Sequence, residues 1–320
     1  MRLVNANRPE RWKEDVRTSV DMFNSWFLDF APLTFREQRQ ATAEQVEGML
    51  RRTGDLIRID ATTLRECPEI LPVLRQATAP PIARDRLAGL ADVPRSLLTS
   101  MEREERLPPR AGDAELDEWL GRMTATIRRL LDVGIFPWLE EGVEAEERDR
   151  AIAASIVADR LCGTLADPII RNAQERRQLT AIRRFLEARG YEEHSEPLAS
   201  ECTSMEPGTF AFRMTVIGLS EDGSPVNLPI DAVVMPLGSS LPCVPLMVEA
   251  KSAGDFTNTN KRRKEEATKI RQLRAAFGEQ TRLILFLCGY FDCGYLGYEA
   301  AEGLDWVWEH RVEDFIELGI

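Results

Sequence analysis

The spacing of hydrophobic residues changes character partway along the chain. Up to about residue 155 the apolar positions recur at helical intervals. Val16, Val20, Phe23, Trp26 and Phe27 fall near one stripe and predict a helix over 9–29. Pro32 is expected to interrupt it, and a second helix is expected over 36–54, stopped at Gly54. The proline-rich stretch 67–83 reads as partly irregular. Asp113 or Asp117 is positioned to cap a helix reaching about 131, and 139–162 reads as another helix. Residues 1–155 are therefore expected to form a mainly helical region.

Beyond 163 the pattern sharpens. Asp167-Pro168 has the look of a helix start, with Ile170, Leu179, Ile182 and Leu186 on its apolar side and Gly190 at its end. Arg171, Glu175 and Gln178 share a second face of that helix. The period then drops to two: Phe210, Phe212, Met214 and Val216 alternate with Ala211, Arg213, Thr215 and Ile217. A turn is expected at 220–223. Strands are expected over 226–236 and 244–252, the first irregular because of Pro229. A helix over about 260–277 and a continuous apolar strand over 282–289 follow. The predicted order is helix, three strands, helix, strand, an α/β arrangement. The final segment DWVWEHRVEDF reads as a helix anchored by Trp306 and Trp308, behind a glycine- and tyrosine-rich capping loop.

Composition narrows the chemistry. No apolar run reaches the length of a membrane span, and the first residues lack the apolar stretch of a signal peptide, so a cytoplasmic protein is expected. Six scattered cysteines are not a disulfide framework, and two histidines, His194 and His310, have no partner at metal-binding spacing. His310, in a charge-rich segment, is expected to be exposed. Phosphate-cradling GxxxxGK[ST] and the nucleophile elbow GxSxG are absent. The 320 residues carry a net charge of -12, which by itself argues against a nucleic-acid partner. The distribution argues otherwise. Residues 251–274 hold eight basic side chains against Asp255, Glu265 and Glu266, and four of the five lysines of the chain lie there.

Asp231 stands in the second predicted strand, and Glu249 and Lys251 stand two apart in the third, hence on one face. Adjacent strands bring Asp231 level with Glu249 if the register allows. Two carboxylates and an ammonium in an otherwise apolar sheet are costly unless paired or metal-bound. Their oxygens, with the Ala250 carbonyl, suit Mg²⁺, phosphate oxygens and water completing the shell. Such a metal holds a scissile phosphate and acidifies an attacking water, which Lys251 orients or helps deprotonate. Glu175, on the preceding helix, is a candidate further ligand. Asn258, Asn260, Lys261, Arg262, Arg263, Lys264 and Lys269 are candidate DNA contacts. A bare Glu-x-Lys also occurs as an ordinary salt bridge, and the basic run as a solvated helix face.

Asp231 followed by Glu249-Ala250-Lys251 in this order of elements resembles the PD-(D/E)xK nuclease superfamily, although Ile230 and not proline precedes Asp231. Three blocks, GTLADPIIRNAQERRQLTAI, VEAKSAGDFTNTNKRRKEEATKIRQL and GYLGYEAAEGLDWVWEHRVEDF, are similar to XamI-type type II restriction endonucleases and cover much of 163–314. The resemblance implies a restriction-endonuclease-like core over 156–320, a mixed central sheet flanked by helices. It implies Mg²⁺-dependent cleavage of both strands of double-stranded DNA at a short palindrome, GTCGAC-like in XamI-type enzymes. It also implies a homodimer and a cognate methyltransferase in the same host. Within it Asp231 and Glu249 bind metal and Lys251 is the catalytic lysine. Residues 1–155 then serve as scaffold, DNA contact or specificity region. The rival expectations are a repair or structure-selective nuclease of the same fold, and a non-catalytic DNA-binding protein that keeps it.

Overall fold

The computed structural model describes residues 3–109, 111–194, 202–257 and 259–320, and for 141 and 259–263 the backbone alone. Two compact units divide the chain, Ala31–Ile170 and the combination of Met1–Phe30 with Arg171–Ile320. The division expected at 155/156 therefore falls elsewhere, because the first thirty residues belong with the sheet.

The Ala31–Ile170 unit is helical. It takes the later part of α1 (Pro9–Thr53), then α2 (Ala61–Glu66), α3 (Leu71–Gln76), α4 (Arg84–Ala91), α5 (Arg95–Arg103), α6 (Asp113–Leu130), α7 (Trp138–Glu141) and the first part of α8 (Glu147–Glu187). Leu64, Leu71, Leu74, Leu97, Leu98, Leu120, Met123 and Phe136 form its buried centre. The helix expected from 139 is broken: α7 ends at Gly142, whose φ of +68° is left-handed, and α8 begins at Glu147.

Two prolines read as boundaries are not boundaries. Pro32 lies inside α1 and Pro168 inside α8, so Asp167 caps nothing. An internal proline costs about 3 kcal/mol through a lost N–H bond and a clash. Each buried aliphatic side chain returns about 1.5–3 kcal/mol. α1 buries Phe23 before its proline and Val46, Met49 and Leu50 after it. α8 buries Val157 and Leu161 before and Leu179, Ile182 and Leu186 after. Burial on both sides outweighs the defect.

The other unit is built on a six-stranded mixed sheet in sequence order. Its strands are β1 (Glu192–Glu193), β2 (Thr209–Leu219), β3 (Pro225–Val234), β4 (Leu246–Ala253), β5 (Leu283–Gly289) and β6 (Asp305–Trp308). β2, β3 and β4 are antiparallel neighbours, and β4, β5 and β6 are parallel. Helices α9 (Thr259–Phe277) and α10 (Cys293–Ala301) make the parallel crossovers. One face of the sheet packs Phe210, Ala232, Val248 and Phe286 against Leu179, Ile182 and Leu186 of α8 and Phe315 near the C-terminus. The other packs Met214, Ile230, Val233 and Met247 against Ile270 and Leu273 of α9.

The last segment corrects another expectation. DWVW is β6 and only the residues after it, Glu309–Leu318, turn as a 3-10 helix. All four β6 residues are buried and all four of its neighbours on β5 are apolar, so parallel pairing wins over helix propensity. His310 is half-buried beside Trp308, not exposed, and burial lowers its pKa while Asp15 opposes the shift. The capping loop is the helix α10.

Asp305, buried at the start of β6, explains where the first residues go. Its carboxylate accepts the backbone N–H groups of Val4, Asn5, Ala6 and Trp306. Asn5 returns a bond to the Trp306 carbonyl at 2.8 Å, and Trp12 packs edge-on against Trp306. Among the described residues no helix is long and apolar enough to cross a membrane.

Candidate active site

Alternation on β4 sends Leu246 and Val248 to the α8 face, and Met247, Glu249 and Lys251 to the α9 face. α9 runs back along β4, and its residues meet that face in reverse order. Ile270 and Leu273 join the apolar cluster of Met247. One step along, Lys269 Nζ lies 2.6 Å from Glu249 Oε1. One turn further, Glu266 Oε1 lies 3.3 Å from Lys251 Nζ, which is also 3.3 Å from Glu249 Oε2. The four charges form an alternating chain, Lys269–Glu249–Lys251–Glu266, with both glutamates buried.

Asp231 reaches this group from a fork in the sheet. β3 pairs with β4 only through Val234, Val233 and Ala232, opposite Leu246, Met247 and Val248. Before Ala232 the strand keeps β2 as its neighbour and leaves β4. Asp231 lies at the point of departure, and its Oδ2 accepts the Ala250 N–H at 2.8 Å. The register extended by one residue sets it against Glu249, as expected from the sequence. Pro229 falls in the stretch with a single strand neighbour, where a missing N–H is tolerated, and its carbonyl accepts from Lys269 at 2.7 Å.

The alternation expected for β2 does not persist through the fork. Phe210 and Phe212 face the α8 layer with Ala232 and Val234, whereas Met214 and Val216 face the α9 layer with Ile230 and Leu228. The switch occurs at Arg213, whose φ of +54° is left-handed. Phe212 pairs with Ala232 and Met214 with Ile230, so Arg213 stands opposite Asp231.

The electrostatics show a site short of positive charge. Burial pushes the Asp231 carboxyl up to about 6, Glu249 adds to the shift, and the Ala250 N–H and Lys251 oppose it. Burial alone would lower the Lys251 pKa, yet it is raised, because Glu249, Glu266 and Asp231 together outweigh desolvation. These carboxylates favour the charged ammonium form of Lys251. A divalent cation beside Asp231 and Glu249 would relieve the carboxylate repulsion. Among the described residues no three acidic, histidine or cysteine side chains gather closely enough to hold a metal by themselves. Two carboxylates with water and phosphate oxygens filling the remaining places match the habit of Mg²⁺. The donor set fits the ion, provided Glu249 gives up one lysine partner.

The remaining expected residues divide. Glu175 is on α8 and pairs with Arg213 at 2.9 Å, and it is near enough to Asp231 to raise its pKa. Ala250 gives its N–H to Asp231. Lys264 is exposed on α9. Lys269, expected to face phosphate, turns inward to Glu249, because it shares the helix face of Glu266, Ile270 and Leu273. Asn258 lies outside the described residues, as do the side chains of Asn260, Lys261, Arg262 and Arg263.

Three residues of this centre were not singled out in the sequence. Glu266 lies in the basic run that also reads as a solvated helix face, but its spacing from Ile270 and Leu273 is the signal of a buried face. Gln178, read only as a polar companion of Glu175, is buried and donates to the carbonyls of Lys251 at 3.1 Å and Phe286 at 3.0 Å, locking α8 to the two central strands. Arg213 carried no signal, since its role depends on a backbone angle.

The family model for XamI restriction endonuclease matches residues 54–308. The type II restriction enzyme SalI of Streptomyces albus G is 52% identical over 317 residues, covering 99% of this chain and 100% of that one. Among solved structures, protein VC1899 from Vibrio cholerae aligns at 13% identity and a TM-score of 0.27, over 87% of this chain and 56% of its own.

Proposed function

This chain belongs to the XamI restriction endonuclease family and is a type II restriction endonuclease acting on double-stranded DNA, and on that premise we propose that Asp231, Glu249 and Lys251 form its cutting centre. The observation that carries the assignment is the fork: Asp231 leaves β4 at Ala250 and stands by Glu249, whose partner Lys251 is held charged.

Family membership implies a divalent metal, and Mg²⁺ is the ion we assign. Asp231 and Glu249 would hold it, with the Ala250 carbonyl a further oxygen donor and Glu175 within reach through water. When bound, Mg²⁺ supplies charge neutralisation at the scissile phosphate and an acidified water. The protein side chains do the rest. Lys251, fixed between Glu249 and Glu266, presents an ammonium donor to the attacking water and to the negative charge that grows on the phosphoryl oxygens. Water oxygen bonds to phosphorus as the bond from phosphorus to the leaving sugar oxygen breaks; the water gives up a proton to solvent and the leaving oxygen takes one from solvent. Gln178 keeps β4 and β5 in place during this step through the Lys251 and Phe286 carbonyls.

The recognised site is a short palindrome, GTCGAC-like, read by a homodimer whose two-fold axis matches that of the DNA. Lys264 and the basic residues 261–263 of α9, with Asn258 and Asn260, supply phosphate and base contacts. The helical unit Ala31–Ile170 serves as scaffold, DNA contact or specificity region, and a methyltransferase in the same host protects the same sequence. The test is digestion of a plasmid of known sequence, with and without Mg²⁺, and sequencing of the ends. Discrete Mg²⁺-dependent fragments ending in one hexamer are expected. Random nicking, or equal cutting in chelator, refutes the proposal.

A further inference from the structure

Arg213 is the only non-glycine strand residue with a positive φ among the described residues. Arginine has no special tolerance for that conformation. Glycine or asparagine would adopt it at lower cost. The surroundings offer little in return. Arg213 forms one ion pair, to Glu175 at 2.9 Å, and its side chain is 66% exposed, so the pair adds little stability. A strained backbone with a weakly held charge, opposite Asp231, is a pattern found where a side chain must be aimed at a ligand.

The aim can be read from the strands. Arg213 stands opposite Asp231 in the strand register, where the face switch opens the fork, and its exposed guanidinium reaches Glu175 of α8. A planar guanidinium with exposed donors matches a phosphate oxygen pair better than an ammonium does. Glu175 occupies it in the free protein as a phosphate would. We infer that Arg213 is a DNA-contacting residue of this enzyme, gripping a backbone phosphate of the bound duplex beside the cut in exchange for Glu175. The inference rests on the assignment of the cutting centre to Asp231, Glu249 and Lys251.

The test compares Arg213→Gly and Arg213→Lys with the wild-type protein in three measurements. They are thermal unfolding, cleavage of a plasmid with Mg²⁺, and duplex binding in chelator across a salt series. Arg213→Gly should melt at or above the wild-type temperature, since glycine suits the bend. It should nonetheless cleave about 10- to 100-fold more slowly at low salt. The slope of log affinity against log salt should fall by about one phosphate contact. Arg213→Lys should keep the slope and recover part of the cleavage. Cleavage by Arg213→Gly within about twofold of wild type and an unchanged slope would overturn the inference. So would a loss of activity in both variants that only follows a loss of stability. Binding is read without metal, so it remains informative if the wild-type protein fails to cut. That failure would refute the cutting centre, while a reduced slope would still establish the phosphate contact.

Discussion

Replacing Asp231 by asparagine should make the protein more stable and inactive at once. The carboxyl is held up at about 6 against an ordinary value of 3.8, mainly by burial and then by Glu249. An acid raised in the fold holds its proton more tightly folded than unfolded. Its ionisation therefore costs stability, fully above about pH 6, progressively less below it, and not at all below about pH 4. At about 1.4 kcal/mol per pH unit, a displacement of about two units amounts to ~3 kcal/mol. Solvent screening at this half-buried residue reduces it to about 1.5–3 kcal/mol. Asparagine keeps an oxygen for the Ala250 N–H and removes the charge. Urea unfolding in chelator should show Asp231→Asn ahead by that amount at about pH 7.5, with the gain roughly halved near pH 5. Adding Mg²⁺ should stabilise the wild-type protein and leave the variant unmoved. Equal or lower stability of the variant at the higher pH, or a gain independent of pH, refutes the electrostatic account of the fork.

Three further outcomes follow from the same contacts. Lys251→Ala should lower cleavage at least 10²- to 10³-fold while gel-shift binding of duplex persists, and undiminished cutting would remove it from the mechanism. Gln178→Ala leaves two buried carbonyls, of Lys251 and Phe286, without their donor, and should cost about 2–4 kcal/mol in urea unfolding; a change below about 0.5 kcal/mol refutes the locking role. Asp305→Ala strips the acceptor from four backbone N–H groups. It should cost about 3 kcal/mol and expose the first residues to limited proteolysis; a cleavage pattern like that of the wild-type protein tells against the clamp.

The family and the candidate site were legible because both live in short-range pattern. Period-two alternation alone places Glu249 and Lys251 on one face of a strand, and the two-residue step cannot do otherwise. The order helix, three strands, helix, strand follows from periods and turn residues, and the three resembling blocks led to the family that the comparisons show. The net charge of -12 was misleading as a partner predictor, because charge acts locally.

What the sequence by itself determined, then, is the four strands β2 to β5, the motif and the enzyme family, all encoded by neighbours along the chain. Tertiary structure decided the rest. Pro32 and Pro168 read as breaks until burial on both sides of each is seen to outweigh a local penalty. Residues 1–30 joined the sheet unit through contacts with residues some three hundred positions away, among them Asp305 and Trp306. Lys269 and Glu266 turned inward because the helix face they share with Ile270 and Leu273 lies antiparallel along β4, and which strand that face meets is not written in the helix. Arg213 became notable only through a backbone angle and the strand opposite it. Local propensity is worth about 1 kcal/mol or less per residue, about 3 for an internal proline, and it yields wherever distant residues bury surface or share charge on a larger scale.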